Sequence, residues 1–311
     1  MDVRVHPEGH SGKPSGSEQR ARASQAESLG LSVAIAPTRP LVTIVTPSFN
    51  QGRFLEETLL SVQRQDYPHV EHIVVDGGSS DGSLDIIRRH ERRLARWVSE
   101  PDRGQTDAIA KGFRFSTGDI LAWLNSDDTL MPGAVGLAVR ELTRDPVLGL
   151  VYGDRVEIDA GGNVVGTVRL PSHRRAMFRR NFTIPQETAF FRRTYYEAVG
   201  GVDVGLHFAM DFDLWVRLSA AAPMRHLPVF LGCYRRHDTS KSVAMDAGES
   251  AHGYREESEA VYRRHFSRRL PSRHAMALYR LAHKTRTALE AISSAGRRER
   301  SRLLRELREG W

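Results

Sequence analysis

Cysteine is almost absent from this chain: Cys233 is the only one among 311 residues. A disulfide framework within the chain is therefore excluded, as is any metal site built from clustered thiolates. Long apolar runs are missing too. No stretch reaches the roughly 18–20 consecutive apolar residues of a membrane-spanning helix. The opening MDVRVHPEGHSGKPSGSEQRARASQAESLG has no apolar core segment and is rich in Gly, Ser, Pro and charge. A disordered leader over residues 1–39 is expected rather than a signal peptide. Neither G-x-G-x-x-G nor G-x-x-x-x-G-K-[ST] occurs, which argues against hydride-transfer and P-loop enzymes.

Net positive charge is confined to the C-terminus. The net charge is +7, but residues 263–311 hold fourteen Lys/Arg against four Glu. About +10 thus lies in this tail, leaving the rest near −3, the difference between +7 and +10. A nucleic-acid binder needs basic residues interleaved with aromatics on its folded surface. No nucleic-acid partner is expected.

What is present is a rhythm. LVTIVTPSFN reads as a buried strand breaking into a loop, and RFLEETLLSVQRQ as a helix with Phe54, Leu55, Thr58, Leu59 and Val62 inward. VEHIVVDGGSSDGS, ARWVSEPDRG and DILAWLNSDD read as three further strands with loops, separated by helical LDIIRRH and QTDAIAKGFRF. Strand and helix alternate four times over about ninety residues, the pattern of a mostly parallel sheet flanked by helices. The fold class is α/β. Ligands of such sheets bind beyond the carboxyl ends of the strands, where Asp76, Asp102 and the Asp127-Asp128 pair fall. Adjacent carboxylates repel each other. A hard divalent cation, Mn²⁺ or Mg²⁺, relieves that repulsion and bridges them to a nucleoside diphosphate. Beyond Gly133 the pattern changes: GLVYGDRVEIDAGGNVVGTVRL reads as a strand and hairpin turning at Gly161-Gly162-Asn163, MDFDLWVRLSAA as a helix, and HLPVFLGCYRRH as a strand.

VTPSFNQGRFLEETLLSVQRQDYPHVEHIVVDGGSSDGS, SEPDRGQTDAIAKGF, GDILAWLNSDDTLMPGA and the later IPQETAFFRRTYYEAVGGVDVGLHFAMDFDLWVRL together resemble glycosyltransferase family 2, bacterial members included. The resemblance covers roughly Pro40 to Val243 and implies a GT-A, Rossmann-like fold. It places a glycosyltransferase domain over 40–250, with 40–130 as the nucleotide-binding half and 131–250 as the acceptor half. Residues 251–311 form a basic helical C-terminal extension. The implied reaction is inverting transfer of a sugar from a UDP-, GDP- or dTDP-linked donor to a hydroxyl of a glycan or lipid-linked acceptor, in polysaccharide or glycolipid synthesis. By the same resemblance Pro47 and Phe49 line the base pocket and Asp76 hydrogen-bonds the base, while Asp102 and Arg103 belong to the donor loop. Asp127 is the direct metal ligand, with Ser126 and Asp128 on ribose or metal-bound water, and Asn125 stands where the family carries an Asp. His237 completes the metal or diphosphate site. Asp211 is the base, with Met210 in place of the family's Glu and with Asp213 as the fallback. Gln186 and Glu187 face acceptor or sugar.

An alternative is a non-catalytic sugar-nucleotide-binding protein of the same fold, which Asn125 and Met210 favour. A nucleotidyltransferase should carry a Gly-rich basic loop after the first strand, and TPSFNQGRF is a poor match. The basic tail has three readings open: peripheral contact with an anionic membrane surface, packing on another subunit, or a solvated helix. The resulting expectation is a cytoplasmic protein that can sit on the inner face of the plasma membrane.

Overall fold

A computed structural model describes residues 39–170, 173, 175–180, 183–238, 240 and 251–266. The expected leader and the tail beyond Phe266 lie outside the described residues. The first part of the sheet is a run of β1 (Val42–Ser48), α1 (Gly52–Gln63), β2 (Val70–Asp76), α2 (Ser83–His90), β3 (Arg96–Ser99), α3 (Gln105–Phe115) and β4 (Ile120–Trp123). Then come β5 (Thr129–Leu130), α4 (Ala134–Arg144), β6 (Leu150–Asp159), β7 (Val164–Val168), β8 (Ala189–Arg192), α5 (Arg193–Ala198), α6 (Met210–Ala221), β9 (Met224–Arg236) and α7 (Ala251–Phe266).

Among the described residues nine strands join one sheet in the order β3-β2-β1-β4-β8-β6-β9-β5, with β7 paired to β6. The pairs β1–β2, β1–β4 and β2–β3 are parallel, as right-handed βαβ crossovers require. The second half is mixed: β8 runs antiparallel to β4 and β6, whereas β6 and β9 are parallel. β1 is buried at every position because helices cover both faces, so its sequence is a continuous apolar and β-branched run.

The five positions expected to face inward on α1 are all buried. The hairpin β6–β7 turns at the glycine pair, where Gly162 takes φ +81° and Asp159 Oδ1 accepts from the Gly161 and Asn163 amides. The larger core cluster runs from Val45 and Trp123 through Tyr152 and Phe191 to Leu214 and Trp215, and it includes Val261 and Tyr262 of α7. The first part of the segment expected as an extension thus packs on the body. Among the described residues no helix is long and apolar enough to cross a membrane.

Candidate active site

The carboxyl ends of β1, β2 and β4 form one rim. β1 breaks after Ser48, and Asn50 adopts φ 51°, a left-handed conformation that Asn tolerates better than most residues. Its Oδ1 accepts from Ser80 N at 2.9 Å and its N–H donates to Ser79 Oγ at 2.8 Å. The loops after β1 and β2 are thereby zipped together. Pro47 is buried within β1, while Phe49 projects with 60 % of its surface exposed. Such an exposed ring on a fixed backbone can stack on a base.

Asp76 ends β2 and is buried. Its Oδ2 accepts from the amides of Gly78 (3.1 Å) and Ser79 (2.9 Å) and from Ser99 Oγ (2.7 Å), and Oδ1 accepts from Ser79 Oγ (2.5 Å). Much of its accepting capacity is spent on its own loop. Asp102 packs on that loop: a Cβ at Gly77 would come 2.8 Å from its Oδ2, so a larger residue there would have to push the Asp102 carboxylate aside. Arg103 points to solvent and donates to Asp107 at 3.0 Å.

β4 drives Trp123 into the core and then releases Asn125-Ser126-Asp127-Asp128. Thr58 of α1 holds this turn from beneath: its hydroxyl lies 2.9 Å from the Ser126 carbonyl and 2.7 Å from that of Asp128. Arg235 at the end of β9 holds it from the side. Its guanidinium donates to the Asp127 carbonyl at 2.9 Å, its backbone N–H donates to Asp128 Oδ1 at 3.0 Å, and it pairs with Glu57. Asp127 and Asp128 therefore diverge. Asp127 faces His237, whose Nε2 is 3.0 Å from its Oδ2. The His237 ring also lies 4.5 Å from that of Phe54.

Asp128 turns inward and is 1 % exposed. Gln186 donates to its Oδ2 at 3.0 Å, and the Asn125 amide lies 3.4 Å from the same oxygen. Burial, and then the charges of Asp127 and Glu187, push its carboxyl well above the ordinary range. Asn125 in turn accepts from Gln105 at 2.6 Å, linking the Asn125–Asp128 turn to the start of α3.

Two donors of suitable chemistry, a carboxylate and an imidazole, thus stand together at Asp127 and His237. Among the described residues no group of three or more His, Cys, Asp or Glu converges. A cation held by this pair would draw the rest of its shell from water and phosphate oxygens. The residues fit such a group.

Just before β8, Glu187 is buried and receives a two-pronged ion pair from Arg155, Nε to Oε1 at 2.6 Å and Nη2 to Oε2 at 2.9 Å. Arg155 is raised further above its ordinary range by Glu187, Asp128 and Glu157, against the opposing effect of its burial. Gln186 keeps a buried Oε1 without a partner.

α6 begins at Met210, its N-cap is Ala209, and Asp211 stands in the first turn rather than at the cap. Burial pushes the Asp211 carboxyl up to about 6, opposed by the Phe212 amide, Thr183 and the Arg155 charge. The fallback, Asp213, is unsuited to a base. It is buried and held by Arg217 (2.6 and 2.8 Å) and His265 (2.9 Å); although burial raises it, those partners bring its carboxyl below the ordinary value. Trp215, one turn after Asp211, donates from Nε1 to the Ile184 carbonyl and stacks on Trp123 at 5.2 Å and 13°. This stack, adding roughly 0.5–1.5 kcal/mol beyond burial, locks the helix bearing Asp211 onto β4, the strand that leads into the Asn125–Asp128 turn.

Thr58, Gln105, Arg155 and Arg235 were not singled out from the sequence. Arg235 alone had a readable signal: it lies two residues before His237 at the end of a strand, hence on the same side.

The sequence profile of glycosyl transferase family 2 matches residues 43–200. The chain belongs to that family, and it has the GT-A fold. An uncharacterized glycosyltransferase of Mycobacterium tuberculosis is 30 % identical over 200 residues, covering 62 % of this chain and 73 % of its own length. The chondroitin synthase of Escherichia coli is 28 % identical over 209 residues, 66 % of this chain but 30 % of that larger protein. Among solved structures, the Pyrobaculum calidifontis mannosyltransferase in complex with GDP-Man and Mn²⁺ superimposes with a TM-score of 0.53 at 20 % identity, covering 95 % of this chain and 93 % of the other. Residues 1–349 of S. aureus TarS, in complex with UDP-GlcNAc, give 0.56 at 13 % identity over 87 % and 81 %. The protein is a glycosyltransferase of glycan synthesis.

Proposed function

We propose that the protein transfers a glycosyl group with inversion from a nucleoside-diphosphate sugar to an acceptor hydroxyl, with Asp211 as base and a divalent cation at Asp127 and His237. The observation that carries this reading is the convergence on Arg155, which pairs with Glu187 and whose charge acts on both Asp128 and Asp211. The base candidate and the Asp127-Asp128 turn thus lie within electrostatic reach of one guanidinium, which supports a single shared site.

A bound Mn²⁺ or Mg²⁺ would supply positive charge to the departing diphosphate. The chain's own residues do the rest. Phe49 stacks on the base, with Asp76 and Pro47 forming the edge and floor beside it. Arg103, exposed on the loop with Asp102, exchanges its ion pair with Asp107 for phosphate or sugar. Asp211 takes the acceptor proton as the acceptor oxygen bonds to the anomeric carbon. The bond from that carbon to the diphosphate oxygen breaks, and the nucleoside diphosphate leaves with the electron pair. A carboxyl near 6 is ionised at neutral pH yet basic enough to accept a proton, the compromise that general-base catalysis favours. Gln186, with its unpartnered oxygen, is placed to accept from an acceptor or sugar hydroxyl.

Nucleotide-sugar complexes among the structural neighbours support a nucleotide-sugar donor, and the Mn²⁺ in one of them supports a divalent cation. Calorimetric titration of UDP, GDP and dTDP, each with Mn²⁺ and with chelator, tests the donor site. Binding of one nucleotide that chelator abolishes is the expected result. Binding of none overturns the reading.

A further inference from the structure

Helix α7 meets the body where the base-bearing helix starts. Three consecutive amides point at one carboxylate, that of Glu257. His207 N donates at 2.9 and 3.0 Å to its two oxygens, and Phe208 N (2.7 Å) and Ala209 N (3.1 Å) donate to Oε2. These are donors ahead of and at the start of α6, of the kind a helix cannot satisfy from within. Ala209, the N-cap, brings no side-chain acceptor of its own. A residue about fifty positions downstream thus ties down the N-cap amide and the two before it, which no side chain of the segment itself is positioned to do.

The same segment is held on its other side by the donor loop. Thr106 Oγ1 donates to the Leu206 carbonyl at 2.6 Å, and His207 Nδ1 lies 3.6 Å from where a Cβ on Gly104 would stand. Residues 206–209 are therefore gripped between the start of α3 and α7, and they run directly into Met210 and Asp211. α7 is itself anchored. Val261 and Tyr262 are buried, Tyr262 donates to the Arg179 carbonyl, and His265 and Arg264 reach Asp213 at 2.9 and 3.5 Å.

We propose that Glu257 is a positioning residue for catalysis: by fixing the amides of residues 207–209 it sets where the Asp211 carboxylate stands relative to the donor loop. The inference rests on Asp211 being the base. It also makes the helix 251–266 part of the working enzyme.

The test uses the full chain and hydrolysis of UDP-, GDP- and dTDP-linked sugars, with water as acceptor, alongside nucleoside diphosphate affinity and thermal unfolding. Glu257→Ala should lower kcat about 10²-fold, the scale of an ångström-sized misplacement, with nucleoside diphosphate Kd unchanged. Glu257→Gln, which keeps one accepting oxygen, should recover part of the loss. Glu259→Ala, on the same helix and paired among the described residues with the exposed Arg255 side chain, serves as the control. An unchanged kcat in Glu257→Ala, or a fall matched by an equal loss of nucleotide affinity, overturns the assignment. Should the Ala variant fail to fold, the Gln variant decides on the same two readouts. The underlying reading fails separately: wild type then hydrolyses no sugar nucleotide, or Asp211→Asn keeps its kcat.

Discussion

His237 Nε2 stands 3.0 Å from Asp127 Oδ2, at the end of β9 and beyond the end of β4 respectively. The contact joins two residues 110 positions apart and places an imidazole and a carboxylate where one cation can reach both. Without metal the pair is a hydrogen bond. His237→Ala should weaken Mn²⁺-dependent nucleotide binding by roughly tenfold or more, on the scale seen when groups around a metal are removed. Binding in the presence of chelator should be untouched. Titration calorimetry with and without Mn²⁺ measures both, and equal losses under the two conditions would assign His237 to the nucleotide rather than to the metal.

Phe49 is the largest exposed aromatic surface on the rim, at 60 %. An exposed ring contributes little to folding, so Phe49→Ala should leave stability within about 0.5 kcal/mol. Loss of stacking should weaken nucleotide binding by about 1–3 kcal/mol, the usual worth of a base on an aromatic. Phe49→Trp should retain binding. A Phe49→Ala variant with wild-type affinity would remove the ring from the base pocket.

The alternation of strands and helices could be read directly because it depends on local periodicity. The span MDFDLWVRLSAA, read as a helix, coincides with α6, and the inward face of α1 followed from spacing alone. The supports of the site could not be read this way. Thr58 looked like one more inward helix position, and its role comes from carbonyls 68 and 70 residues away. Glu257 looked like part of a charged helix, and its role depends on how α7 docks. β5, only two residues long, exists because β9 offers it an edge. Such contacts arise from tertiary register, which no local pattern encodes.

Arg155 and Glu187 form an ion pair in which the carboxylate is fully covered. Removing one partner of such a pair strands a buried charge. Glu187→Ala should cost about 3–5 kcal/mol, and Arg155→Ala a similar amount. The Arg155 variant should also raise the carboxyl of Asp211, because the guanidinium is among the groups holding it down. Denaturant unfolding of both variants, with the pH profile of Arg155→Ala, separates these effects. An acid limb unmoved by loss of Arg155 would show that the two groups are not coupled.

Asp211 carries two linked predictions. Its carboxyl is raised from 3.8 to about 6 by burial, so turnover should rise as pH passes through about 6 and should be lost below it. Asp211→Asn should reduce turnover by about 10²–10⁴-fold, the range of a general base, while sparing nucleotide binding. The same shift has a consequence for stability. A carboxyl whose folded pKa is raised favours folding when protonated, and that contribution is lost as pH climbs through the folded value. Above about 6, wild type keeps an ionised carboxylate in a desolvated turn, a cost the neutral amide avoids. Asp211→Asn should therefore be more stable than wild type at pH 8, by an amount on the order of 2 kcal/mol. The difference should shrink between about 6 and 3.8 and vanish below, where the wild-type carboxyl is neutral in both states. Thermal unfolding of both proteins across this range decides it. An Asn variant that is less stable at pH 8 would mean that Asp211 serves the fold, and the base would have to be sought elsewhere.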